Sequence, residues 1–142
     1  NPYFGTDQRY RNLGLTAREG NELKEKLTKR GFLIPVLVDR KTLYSLTENA
    51  KSYLTTKQFK IPPQPRGGIE HNYWLEQIKE HFKKKSFTFK EKDNIDLLAE
   101  KGDEVVAVQV ETGKSNTKRN ILALKNHKAD RKVVVVKIRG WK

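Results

Sequence analysis

The stretch Asp96-Leu-Leu-Ala-Glu-Lys-Gly-Asp-Glu-Val-Val-Ala-Val-Gln-Val-Glu-Thr-Gly-Lys-Ser115 constrains the fold more than any other. Two apolar runs flank Lys101-Gly102-Asp103, and a tight glycine-containing turn between such runs predicts a β-hairpin. Strand side chains alternate between faces, so Val105, Ala107, Gln109 and Glu111 point one way and Val106, Val108 and Val110 the other. Gln109 and Glu111 therefore line up. With Asp96 on the adjoining strand, a carboxylate, an amide and a second carboxylate can converge on one end of a sheet. Grouped oxygen donors of that kind suit Mg²⁺ or Mn²⁺. The alternative is that Gln109 and Glu111 are simply the solvated end of a strand.

This pattern resembles the PD-(D/E)xK nuclease superfamily. The resemblance implies that Asp96 stands for the first metal-binding acid, Gln109 for the Asp/Glu position and Glu111 for the place usually taken by Lys. Two departures follow: Gln109 is a neutral, weaker ligand, and Glu111 cannot polarise a water as an ammonium group would. Lys114 supplies that charge from a displaced position in this reading, and Glu70 matches the Glu that the first helix often carries beside the metal. Gly67-Gly-Ile-Glu-His-Asn-Tyr-Trp74, Val110-Glu-Thr-Gly-Lys-Ser115 and Asn120-Ile resemble, more narrowly, the C-terminal nuclease-like segment of some archaeal and bacterial ATPases related to bipolar DNA helicases.

Charge points to the partner. Lys and Arg number 30 against 17 acids, a net +13 over 142 residues, and such an excess attracts polyanions by counterion release and steering. Residues 1–65 hold 12 basic and 6 acidic residues, so neither half is merely a basic tail. DNA is the expected partner. A highly charged thermophile surface is the competing explanation. No apolar run approaches the ~20 residues of a membrane helix, no signal peptide opens the chain, and a cytoplasmic protein is expected. Cysteine is absent, which excludes disulfides and thiolate metal sites. His71, His81 and His127 lack zinc-ligand spacing, so no zinc is expected; His71 is a candidate to support the acid site or contact phosphate, although a surface histidine is the commoner case. The absence of Met suggests a fragment of a longer chain.

Taken in order, Thr6 to Leu13 predicts a short helix with Tyr10 and Leu13 inward, ended by Gly14. Thr16 and Glu19 form a capping box for a second helix, whose Gly20, Leu23 and Leu27 make the buried stripe. Gly20 lets the preceding helix come close. Gly31 ends this helix, and Phe32 to Asp39 and Leu43 to Leu46 form a hairpin turning at Arg40-Lys41, with Pro35 confined to an edge. Thr47 caps a third helix, Glu48 to Leu54. This order resembles a winged helix-turn-helix. The resemblance places Arg18, Asn21 and Lys24 near base edges and Arg40 and Lys41 near phosphates, although such charges also serve as a plain solvated face.

Residues 55–68 read as a Pro/Gly linker. Ile69 to Lys84 then predicts a helix with Glu70, Trp74, Ile78 and Phe82 in one stripe, where Glu70 either serves a cation or complements the helix dipole. Ser86 to Lys90 is a strand ahead of the central hairpin. Thr117 to Asn126 is a helix with Ile121, Leu122 and Leu124 available for packing, and Lys132 to Ile138 is a well-buried strand. The glycine spacing of a P-loop is missing before Lys114, where Val108 stands six residues earlier.

The expected fold class is α/β (α+β), with an N-terminal winged helix-turn-helix (1–54), a linker (55–68) and a restriction-endonuclease-like mixed sheet flanked by helices (69–142). The expected function is DNA binding, with metal-dependent phosphodiester hydrolysis if the degenerate site is active; Asp96, Gln109, Glu111, Lys114 and Glu70 are then the candidate catalytic set and Asp96, Gln109 and Glu111 the Mg²⁺ or Mn²⁺ ligands. Two alternatives stand beside it: a non-catalytic DNA-binding or docking module of a DNA-translocating ATPase, as parent chain or partner, and a winged-helix transcriptional regulator, for which a homodimer is natural.

Overall fold

The computed structural model describes residues 3–63, 66–114 and 116–136, in an α+β arrangement of helices and two sheets. The chain divides into two compact units, residues 1–69 and 70–142.

In the first unit, α1 (Thr6–Asn12) is followed by α2 (Ala17–Lys29). The capping box is complete: the Glu19 amide donates to the Thr16 hydroxyl, and the Thr16 amide donates to Glu19 Oε2 at 2.9 Å. Gly20 faces Tyr10 so closely that an added Cβ would stand 2.4 Å from the ring. Glycine is required there by contact rather than by backbone angle. The Tyr10 hydroxyl donates to Asn21 Oδ1 at 3.0 Å, which holds the ring over Gly20. The end of α2 is a Schellman motif, with Phe32 N–H donating to Leu27 C=O, Gly31 N–H donating to Thr28 C=O, and Gly31 at φ +69°.

Two strands, β1 (Leu33–Val38) and β2 (Lys41–Leu46), pair antiparallel with Pro35 opposite Tyr44. Both strands of a two-stranded sheet are edges, so the missing proline N–H breaks no interior ladder. The turn lies one residue earlier than the sequence suggests. Asp39 and Arg40 both take positive φ, as a type I′ turn requires, and Lys41 already belongs to β2. Thr47 caps α3 (Glu48–Thr56) by accepting from Ala50 N–H.

Two expected core positions in this unit prove to be exposed. Leu13 is 62% and Leu23 42% accessible, because a helix of only seven residues ends before its stripe can cover α2. Both line an apolar groove of about 220 Å³ together with Leu27, Leu33 and Tyr44.

The second unit begins with α4 (Ile69–Lys83) and continues through β3 (Thr88–Lys92), β4 (Ile95–Lys101), β5 (Glu104–Glu111), α5 (Thr117–Asn126) and β6 (Arg131–Val136). The sheet order is β3-β4-β5-β6, antiparallel except for the parallel β5–β6 pair. Strand β3 starts two residues later than expected, after Ser86 at φ +64°. The central hairpin turns at Gly102-Asp103, with Gly102 at φ +57° in the first turn position, where type II′ turns place glycine. Val106 and Val108 pack with Phe87, Leu97 and Ala99 against Leu75, Ile78 and Phe82 of α4. On the opposite face Ala107 packs with Leu98 and Leu124 of α5. The alternation read from the sequence thus divides β5 between two helices.

Two expectations are corrected here. Ile121 and Leu122 are 44% and 57% exposed, so Leu124 alone of the three is buried, since only one stripe of a single helix can face the sheet. Strand β6 is not well buried. It is an edge strand among the described residues, and Val133, Val134 and Val136 are exposed on it. Ile138 lies outside the described residues, as do Gln64, Pro65 and Ser115.

Replacing Gly20 with alanine tests the closest helix contact. Alanine is the better helix former by about 1 kcal/mol, but overpacking against a held ring costs about 1–3 kcal/mol. Gly20→Ala is expected to lower stability in a urea titration, whereas a gain would mean that the Tyr10 ring moves aside freely.

Candidate functional site

Asp96 lies near the start of β4, and Gln109 and Glu111 lie at the end of β5. Antiparallel pairing brings these ends together. Asp96 Oδ2 accepts from the Val110 amide at 2.8 Å, so a side chain continues the ladder between Gln109 and Glu111. The other oxygen, Oδ1, stands 3.4 Å from His71 Nε2 on the first turn of α4. Hydrogen bonding to Asp96 raises the His71 pKa above its ordinary value of 6.5, aided by the charges of Asp96 and Glu111 and opposed by burial.

Glu111 is not a solvated strand end. It is 2% exposed, and its two oxygens accept from Thr117 Oγ1 at 2.9 Å and Asn120 Nδ2 at 2.8 Å. These donors occur three residues apart on α5, as one helix face requires, with Leu124 extending the stripe. Gln109 is 4% exposed and its Oε1 has no hydrogen-bond donor. A buried acceptor of that kind costs free energy until a donor or cation reaches it. Glu70 is buried at 6%, and its Oε2 stands 3.5 Å from Lys114 Nζ.

The residues expected at the site therefore gather at one end of the sheet, joined by two links between α4 and the segments it meets, His71 to Asp96 and Glu70 to Lys114. Among the described residues, no three His, Asp or Glu side chains form a group that could hold a metal ion. Both Glu111 oxygens are committed to α5, Asp96 serves the Val110 amide and His71, and Glu70 faces an ammonium group. In this arrangement the carboxylates are matched to the chain's own donors and cations.

His71, Thr117 and Asn120 complete the cluster. The spacing of Thr117, Asn120 and Leu124 was the available signal for the α5 contacts, and His71, a candidate supporting or phosphate-contacting group in the sequence, meets an acid 25 residues away.

In the first unit, Arg18 is paired with Glu22 at 3.0 Å, but its side chain is 89% exposed. Such a pair contributes little and leaves the guanidinium able to change partners. Asn21 Oδ1 accepts from both Tyr10 and Lys24, so it helps to fix α1 on α2. Arg40 and Lys41 are exposed at the hairpin tip.

The raised His71 pKa sets a pH dependence. A group bound more tightly in its protonated form stabilises the fold fully below its unfolded pKa, near 6.5, and that contribution is lost as pH rises through the higher folded pKa. The melting temperature of the chain is expected to fall across that window, and His71→Gln to flatten this component. An unchanged pH profile in the variant would remove His71 from the cluster's energetics.

No family model, no curated protein and no solved structure matches this chain.

Proposed function

We propose that this chain is a DNA-binding module in which the first unit acts as a winged helix and the second as a restriction-endonuclease-like scaffold with a structural carboxylate cluster. The observation that carries the reading is the net charge of +13, shared between both parts of the chain. An excess of that size draws in a phosphate backbone by counterion release. Arg18 of α2 and Arg40 and Lys41 at the hairpin tip are exposed, and in this reading they lie near phosphates or base edges.

The non-catalytic reading is supported by the carboxylates' partners. Thr117, Asn120, His71 and Lys114 give Glu111, Asp96 and Glu70 what a metal would otherwise supply. A docking module of this kind suits an attached or partner ATPase.

Metal-dependent phosphodiester hydrolysis is the second reading, and the orphaned Gln109 Oε1 favours it. It would require Glu111 to release α5 donors in favour of Mg²⁺ or Mn²⁺.

Duplex binding followed by fluorescence anisotropy at several salt concentrations tests the first reading. The expected result is an affinity whose logarithm falls linearly with the logarithm of salt, at about 0.9 per phosphate contacted. A chain that binds no DNA at low salt is not a DNA-binding module. Nicking of supercoiled plasmid in Mg²⁺, Mn²⁺ or EDTA separates the two readings. No metal-dependent cleavage is expected, and cleavage lost in Asp96→Ala would establish the hydrolase instead.

A further inference from the structure

The charge of the second unit is divided along the chain. Residues 70–113 hold 7 Lys and Arg against 10 Asp and Glu, whereas residues 114–136 hold 7 against 1. The part of the unit carrying α4 and the central hairpin is thus acidic on balance, and its positive excess falls on the segment that forms α5 and β6. We infer that the outward face of α5, carrying Lys118, Arg119 and Lys125, is the surface by which the second unit grips the nucleic-acid backbone; this rests on the DNA-binding reading above.

Helix geometry places these cations together. At 100° per residue, Thr117, Asn120 and Leu124 share the face turned to β5, where they meet Glu111 and the core. Lys118, Arg119, Leu122 and Lys125 fall on the opposite side and are exposed. The buried stripe therefore fixes which way the basic stripe looks.

These side chains are also uncommitted. Elsewhere in the unit, Lys79 pairs with Glu76, Lys83 with Glu80, Lys90 with Glu100 and Arg131 with Glu104, while Lys85, Lys92 and Lys128, like the α5 set, pair with no described carboxylate. No ion pair joins Lys118, Arg119 or Lys125 to a described carboxylate. Local helix energetics do not account for the first two, because the first turn of α5 contains no acid and two cations, set against the positive end of the helix dipole. A sequence that breaks a local rule in this way is meeting another requirement. An approaching polyanion relieves the repulsion and gains from the dipole as well.

The test uses the full chain and a labelled duplex, comparing the parent with Lys118→Gln/Arg119→Gln/Lys125→Gln and with Lys83→Gln/Lys84→Gln/Lys85→Gln, which removes the same charge from the end of α4. Circular dichroism and a thermal melt confirm that each variant is folded, and Lys118→Arg/Lys125→Arg serves as the charge-preserving variant. The α5 triple variant is expected to lower the salt slope by about 2–3 and to weaken binding at least ~10-fold, with the α4 variant clearly less affected and the arginine variant close to the parent. Parent-like affinity and slope in the α5 variant, or an equal loss in the α4 variant, would overturn the placement while leaving DNA binding intact. A parent that binds no DNA would overturn both.

Discussion

The second unit depends on a carboxylate placed where carboxylates rarely sit. Glu111 ends the central strand β5 almost without solvent contact. Burying such a charge costs several kcal/mol unless it is paired and hydrogen-bonded. Thr117 and Asn120 provide the hydrogen bonds, and both belong to α5. The charge that would destabilise the strand end thus becomes the reason that α5 docks there, and its docking fixes which of its faces remains outside.

The same logic governs the other end of the cluster. Asp96 completes the backbone ladder through the Val110 amide and meets His71, while Glu70 meets Lys114 across the same end of the sheet. Each acid is balanced by a donor or cation from a different element. A cluster arranged in this way fastens α4, β4, β5 and α5 to one another, and it leaves Gln109 Oε1 buried with no donor among the described residues. That oxygen is where the structural reading and the metal-site reading diverge most sharply.

Much of this architecture was legible because short-range rules act alone at its key points. The Thr16 capping box, the Gly20 close approach, the Gly31 stop and the Gly102 turn each follow from a local chemical requirement, and period-two alternation correctly divided β5 between two helices. Leu13, Leu23, Ile121 and Leu122 were misplaced for one common reason: periodicity identifies apolar residues but does not say whether enough structure lies opposite to cover them. The apolar run of β6 failed similarly, since a Val-rich strand reads alike in the middle of a sheet and at its edge. At the site, spacing within β5 aligned Gln109 with Glu111 and suggested Asp96 as a neighbour. It could not reveal that Glu111 is buried, nor which acids His71 and Lys114 meet, because those facts depend on how α4 and α5 pack.

Thermal unfolding of the intact chain in EDTA, Mg²⁺ or Mn²⁺ tests most directly whether the cluster is satisfied by its own residues. An ion bound only by the folded chain, at about 100 times its Kd, would add ~2.7 kcal/mol. The present account predicts the same melting temperature in all three conditions. A rise in Mn²⁺ or Mg²⁺ that disappears in Asp96→Asn would contradict it, showing that the acids at the end of the sheet exchange their internal partners for a metal ion.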